Sequence, residues 1–213
     1  PRLSALENVA LPLVYSGMSK SKRLEKAEEV LTSVGLGDRI DHKPNELSGG
    51  QRQRVVLARA LSLKPKVILA DEPVSMLDVS IRAEMLELMH ELQKKYNISF
   101  IYITHDLATA RHFGNRIAIL YLGKIVEMGQ IDKVLLQPKH PYTQALIDAL
   151  SEPDPENLHK EKQIRINEPL DIDVYQGCRF RARCPYAIEK CDEEPPLEDI
   201  GDGRDVACFV KID

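Results

Sequence analysis

Two short apolar runs with a helical stripe between them constrain this chain more than any other feature. Val67-Ile68-Leu69-Ala70 runs straight into Asp71-Glu72, and residues 98–103 run into Thr104-His105. Between them Ile81, Met85, Leu88 and Leu92 recur at helical spacing, so one face of that helix is apolar. A strand, a helix and a second strand this close in sequence form a right-handed crossover, which predicts parallel strands in an α/β sheet. The first run is apolar throughout and only Ser99 interrupts the second, the pattern of a buried strand. In such sheets, binding and reacting groups collect at the carboxyl ends of strands. Asp71, Glu72 and His105 fall there.

The rest of the first 150 residues alternates similarly. Leu24, Ala27, Leu31 and Val34 share a helical face, and Gly35 stands where that helix would stop. A helix opens just after Gly49-Gly50 and carries Val55 to Leu61. Residues 117–121 and 124–127, around Gly123, read as a hairpin. Beyond residue 150 the composition shifts. Residues 151–213 hold 9 Lys+Arg against 16 Asp+Glu, six of the 13 prolines and all four cysteines. Residues 1–150 hold 20 basic against 17 acidic side chains. Ser151-Glu152-Pro153-Asp154-Pro155 reads as a linker to a small irregular module. No internal repeat or low-complexity tract occurs.

Leu47-Ser48-Gly49-Gly50-Gln51, ahead of a helix, has the makings of a phosphate cradle. Two residues without Cβ let an anion approach backbone N–H groups, the helix directs its positive end there, and a hydroxyl adds a donor. Asp-Glu at a strand end supplies two carboxylates of different depth. One suits a hydrated Mg²⁺, and the other can orient and deprotonate a water. A histidine ending the neighbouring strand can sense a terminal phosphate.

In this order and spacing the residues resemble the ATP-binding cassette (ABC) family over about residues 3–150. Leu47 to Gln51 is similar to its signature motif, residues 67–72 to its Walker B strand, Ser75-Met76-Leu77-Asp78 to its D-loop, and His105 to its switch histidine. The resemblance implies an α/β, P-loop NTPase-like core that uses ATP and Mg²⁺. It implies that Asp71 supports Mg²⁺, Glu72 is the general base, His105 contacts the γ-phosphate, and Asp78 couples two sites of a cassette dimer. Ser48, Gly49, Gly50 and Gln51 would serve in trans, pressing on nucleotide held by a partner cassette. Val74-Ser75-Met76 is a small departure from the family's motifs; the important one is that no Gly-x-x-x-x-Gly-Lys-Ser/Thr occurs, and Gly123-Lys124 is followed by Ile125. The phosphate loop (Walker A), the adenine-stacking aromatic residue and the Q-loop glutamine would then lie upstream of Pro1, and the 213 residues alone are expected not to hydrolyse ATP. In this frame residues 1–62 are a helical, permease-docking subdomain, 63–150 part of a RecA-like core, and 151–213 a Cys-rich module.

Pro138-Lys139-His140-Pro141-Tyr142-Thr143-Gln144-Ala145-Leu146 is similar to a segment of oligopeptide/dipeptide importer ATPases. The tail resembles their C-terminal region in Gly177-Cys178-Arg179-Phe180, Arg183-Cys184-Pro185-Tyr186, Cys191 and Val206-Ala207-Cys208. That resemblance implies a [4Fe–4S] cluster on Cys178, Cys184, Cys191 and Cys208. Four soft ligands can substitute for a core in a small module. Zinc, free thiols and a disulfide pair are the alternatives; no Cys-x2-Cys occurs to suggest a zinc knuckle, and a cytosolic ATPase speaks against a disulfide. The implied partners are a second cassette, identical or divergent, transmembrane permease subunits and, indirectly, an extracytoplasmic substrate-binding protein. The implied location is the cytoplasmic face of the membrane.

Leu3-Ser4-Ala5-Leu6-Glu7-Asn8-Val9 and His42-Lys43-Pro44 are similar to lipoprotein-release and macrolide-export ATPases, a second reading. A nucleic-acid-associated cassette is a third. The net charge of −4 and the absence of an insert between signature and Walker B speak against it. No apolar stretch approaches the length of a membrane span. Read singly, Ser48-Gly49-Gly50 is an ordinary turn, His105 is structural, and Asp78 is an N-cap for the following helix. Lys20-Ser21-Lys22-Arg23 reads as a solvated helix start. His42, His90, His112, His140 and His159 receive no role.

Overall fold

A computed structural model describes residues 2–149, 166 and 176–210. The linker residues 151–155 and His159 lie outside the described residues. The chain divides into two compact units, Pro1–Phe113 and Gly114–Asp213.

In the first unit, α1 (Ala5–Ala10), α2 (Lys20–Ser33) and α3 (Gly49–Leu61) pack on one another. A capping box starts α1: Ser4 Oγ accepts from the Glu7 N–H, and the Glu7 carboxylate accepts from the Ser4 N–H. Helix α2 buries Ala27, Val30 and Leu31 and stops before Gly35, whose φ of +75° any Cβ would oppose. β1 (Val67–Asp71) and β2 (Ser99–Ile103) pair in parallel, with Asp71 opposite Ile103, and α4 (Val79–Tyr96) forms the crossover. α5 (Leu107–Phe113) follows β2. One apolar core runs from Ala5 to Phe113 and includes Leu31, Ala58, Ile68, Met89 and Leu92. Residues 1–62 and 63–113 therefore share a core, where the sequence predicts a boundary.

The strands differ from expectation on one face. Ile68 and Ala70 are buried and Phe100 and Tyr102 half-buried, packed with Phe113, whereas Val67, Leu69, Ile101 and Ile103 are exposed. A two-stranded sheet with its crossover helix covers one side only. The apolar runs predict burial on both.

In the second unit, β3 (Arg116–Tyr121) and β4 (Lys124–Gln130) form the predicted antiparallel hairpin. Its turn, Leu122-Gly123, has φ of +46° and +78°, the geometry that matches strand twist in two-residue hairpins. α6 (Ile131–Leu136) and α7 (Pro141–Asp148) follow. Described residues of the tail join this hairpin. β6 (Asp205–Val206) pairs with β4, and β5 (Glu198–Asp199) pairs with β6, giving sheet order β3-β4-β6-β5. The Ala207 N–H also donates to the Val126 carbonyl at 2.9 Å. The compact unit therefore begins at Gly114 rather than at residue 151, because the hairpin's free edge recruits the tail. Arg204 is buried here, held bidentately by Asp202 and donating to the Lys133 and Gln137 carbonyls.

Candidate functional site

Glu72 and His105 meet at the carboxyl ends of the two parallel strands. His105 Nδ1 lies 2.9 Å from Glu72 Oε1. The Glu72 N–H donates to the Ile103 carbonyl at 2.9 Å, so the parallel pairing of β1 and β2 sets this approach. Glu72 has φ of +44°, a left-handed conformation that costs a non-glycine residue about 1–3 kcal/mol and tends to occur at functional positions. Ser75 Oγ donates to the Glu72 carbonyl at 3.0 Å and closes the turn. The bond from His105 holds the Glu72 carboxyl below its ordinary range. At neutral pH Glu72 is therefore an ionised, exposed base with a histidine beside it. Asp71, one residue earlier, is also exposed. Its bare carboxylate suits a hydrated Mg²⁺.

The Ser-Gly-Gly-Gln segment starts α3. Ser48 is the exposed N-cap: its Oγ accepts from the Gln51 N–H at 3.2 Å, and Gln51 Oε1 accepts from the Ser48 N–H at 3.0 Å. The two glycines differ. A Cβ on Gly49 would sit 3.6 Å from Leu77 Cδ2, an ordinary contact, whereas one on Gly50 would sit 2.7 Å from Ile81 Cγ2. The missing side chain of Gly50 thus lets α3 approach α4, where the sequence suggests a route for an anion. Leu77 and Ile81 bracket Asp78, so the signature segment packs beside the D-loop. Asp78 occupies the N-cap position of α4, but its side chain makes no capping bond. Met76 is 96% exposed.

Two side chains to which the sequence reading gives no role tie these parts together. Arg82 Nη1 lies 3.1 Å from Asp106 Oδ2, and Nη2 donates to the Leu77 carbonyl at 3.4 Å. Asp106 follows His105 directly. The partners are 24 residues apart in sequence, so only the crossover topology reveals the pair.

In the second unit the four cysteines influence one another electrostatically and none is disulfide-bonded. The Cys178 N–H donates to the Cys191 carbonyl at 3.0 Å. Gly177, at φ +69°, makes this possible, since a Cβ there would lie 2.5 Å from the Asp192 carbonyl oxygen. Burial pushes the thiols of Cys178 and Cys208 up and that of Cys184 up to about 11, and neighbouring thiols add to this. Backbone N–H groups of Phe180, Tyr186 and Val210 oppose the shift at Cys178, Cys184 and Cys208 in turn. Among the described residues, no group of three or more His, Cys, Asp or Glu is placed to hold a single metal ion. A tetrahedral Zn²⁺ with bonds of ~2.3 Å would draw four sulfurs to within ~3.8 Å of one another. Three of the four thiols have backbone N–H partners.

The ABC transporter family pattern matches residues 1–75, which hold Ser48 to Gln51, Asp71 and Glu72. The pattern for the oligopeptide/dipeptide transporter C-terminal region matches residues 126–191, which hold three of the four cysteines. A putative peptide import ATP-binding protein of Brucella ovis is 40% identical over 98% of this chain and 67% of its own length. This chain belongs to the ABC transporter ATP-binding proteins, in their oligopeptide/dipeptide branch. A probable peptide ABC transporter ATP-binding protein of Sinorhizobium fredii is 44% identical to the cassette over 99% of this chain and 61% of its own length. The oligopeptide transport ATP-binding protein OppF of Escherichia coli is 42% identical over the whole of this chain and 65% of its own. The chain thus spans about three-fifths to two-thirds of the length of the relatives it matches. The dimeric ATP-binding cassette MJ0796, bound to ADP and Pi in a post-hydrolysis state, is 40% identical, with a TM-score of 0.54 over 62% of this chain and 58% of that one. The ADP conformation of the cassette MJ1267 is 26% identical, with a TM-score of 0.58 over 70% and 63%. These likenesses agree with the α/β, P-loop NTPase-like class. No helix among the described residues is long and apolar enough to cross a membrane.

Proposed function

We propose that this chain is part of the ATP-hydrolysing subunit of an importer for oligopeptides or dipeptides. It would work as a cassette dimer on the cytoplasmic face of the membrane, bound to permease subunits through the helices of residues 1–62 and served by an extracytoplasmic binding protein. The observation that carries hydrolysis is the Glu72–His105 pair at the ends of parallel strands. The C-terminal match over residues 126–191 supports a peptide cargo over lipoprotein release, macrolide export or work on nucleic acid.

The chain's own residues suggest the division of labour. Glu72, held ionised, accepts a proton from a water, and His105 orients that carboxylate and faces the terminal phosphate. Asp71 would hold Mg²⁺, which when bound offsets phosphate charge. Ser48 keeps its hydroxyl proton free, because the cap uses only a lone pair, and the Gly49 N–H is one of the unpaired donors that open α3. Both would face nucleotide brought by a partner cassette, and Asp78 would report closure between the two sites. Cys178, Cys184, Cys191 and Cys208 would hold a [4Fe–4S] cluster, which when bound cross-links the edge of this unit.

The test uses the assembled transporter. Glu72→Gln should abolish ATP turnover while ATP still draws two cassettes together. Turnover within tenfold of wild type, or no ATP-dependent pairing, refutes the reading. Iron and acid-labile sulfide in anaerobically purified protein, lost on Cys184→Ser, test the cluster separately.

A further inference from the structure

We propose that Arg82 is a positioning residue that couples the D-loop to the His105–Glu72 pair. The proposal rests on the ATPase reading above and adds a route between its parts. Arg82 stands in the first turn of α4, four residues after Asp78. Its guanidinium spans two segments: Nη1 meets Asp106 Oδ2 at 3.1 Å, and Nη2 donates to the carbonyl of Leu77, just before Asp78. Its Nε is buried without a partner among the described residues. The planar fork therefore acts through its two terminal nitrogens, a geometry an ammonium group cannot reproduce.

Asp106 is well placed to transmit what Arg82 senses. Its Oδ1 accepts from the N–H groups of Ala108 and Thr109, at 2.9 and 3.3 Å, and so starts α5. Its own N–H donates to Thr104 Oγ1 at 3.0 Å, and Thr109 Oγ1 donates to its carbonyl at 2.9 Å. These bonds close the turn that carries His105. The His105 ring is itself 74% exposed, so the turn, rather than packing, aims it at Glu72. At the other end, the D-loop presents Met76 and Asp78 to solvent and touches the signature segment through Leu77. A displacement of the D-loop moves the Leu77 carbonyl, and Arg82 passes it to Asp106 and hence to the histidine. One guanidinium thus makes the D-loop and the switch turn a single mechanical element.

Two readouts test this. In the 213-residue chain, the His105 ring carbon–proton resonance is compared in wild type, Arg82→Gln, and Glu72→Gln as the unpaired reference. Arg82→Gln should move the resonance at least halfway to that reference. In the assembled transporter, Arg82→Gln and Asp106→Asn should each lower kcat on the order of 10–100-fold, as misplacement of catalytic groups does, with KM for ATP within about threefold. The double variant should be no slower than the slower single, since both break one link. Arg82→Lys, which keeps charge but not the fork, should fall between. Glu84→Gln, which breaks the ion pair of α4 with Arg54, should leave kcat within about twofold. An unmoved His105 resonance, or kcat within twofold in Arg82→Gln, overturns the proposal. If Arg82→Gln fails to fold, Arg82→Lys and Asp106→Asn decide it by the same criteria. If the wild-type assembly does not hydrolyse ATP, the ATPase reading falls, and the resonance comparison still decides whether Arg82 positions His105.

Discussion

Substituting the two signature glycines one at a time should move stability in opposite directions. A Cβ on Gly50 meets Ile81 Cγ2 at 2.7 Å, closer than non-bonded carbons tolerate. Ile81 is β-branched and sits in a helix, so its Cγ2 cannot swing aside without leaving its preferred rotamer. Overpacking of this kind costs about 1–3 kcal/mol. Alanine at a helical position returns about 0.4–1 kcal/mol through the unfolded chain. Gly50→Ala should therefore destabilise the first unit by about 1.3 kcal/mol, from mid-values of a range of roughly 0–2.6 kcal/mol. Gly49 meets only Leu77 Cδ2 at 3.6 Å, so Gly49→Ala should be neutral or stabilising by up to about 1 kcal/mol. Urea titrations followed by circular dichroism, with equal m-values for the three proteins, give both numbers. If the two variants lie within about 0.5 kcal/mol of each other, or in the reverse order, the steric account of Gly50 is wrong.

The buried His140 has its pKa lowered to about 4 by burial. The unfolded chain takes up a proton below pH 6.5 and the folded chain does not, so stability should be complete above pH 6.5 and fall by about 3 kcal/mol as pH drops through 4. His140→Asn keeps a cap acceptor for the Tyr142 N–H and should flatten that segment of a stability-versus-pH curve. Gly177→Ala should displace the Asp192 carbonyl and break the Cys178–Cys191 backbone bond; if the proposed cluster forms, iron bound after anaerobic reconstitution should fall about twofold, and loading equal to that of an iron-binding wild type would sink that reasoning.

What was legible in the sequence follows from range. Short apolar runs predict β1 and β2, a helical stripe predicts α4, and two apolar segments around Gly123 predict the β3–β4 hairpin, while Gly35 and Gly123 take positive φ angles. The tail's entry into the hairpin sheet is illegible because β5 and β6 are two residues each, too short for any alternation. The exposed face of Leu69 and Ile101 is illegible for another reason. An all-apolar run says that both faces avoid water, but not that this chain supplies both covers. Glu127 is the plainest buried group the sequence reading passes over. It is fully buried in β4, and its carboxylate accepts from the Lys139 and His140 N–H groups, seating the start of α7. The only trace in the sequence is a lone acid at a core register, which means nothing until the loop that answers it is placed.

Ser48 has two tasks that a substitution can separate. As N-cap it lends a lone pair to the Gln51 N–H, and as a ligand it would lend its proton to phosphate. Aspartate caps about as well as serine but has no proton to give and carries a charge that repels phosphate. Ser48→Asp should hold the stability of α3 within about 0.5 kcal/mol of wild type, whereas Ser48→Ala should lose about 1 kcal/mol. If the hydroxyl serves nucleotide in trans, Ser48→Asp should nevertheless abolish ATP-dependent pairing of cassettes, and Ser48→Ala should weaken it less. Denaturation midpoints and light scattering with ATP, each on a Glu72→Gln background to prevent turnover, separate the two tasks. Pairing that survives Ser48→Asp would mean that the segment is a helix cap and nothing more, and that the anion site must be sought elsewhere in the dimer.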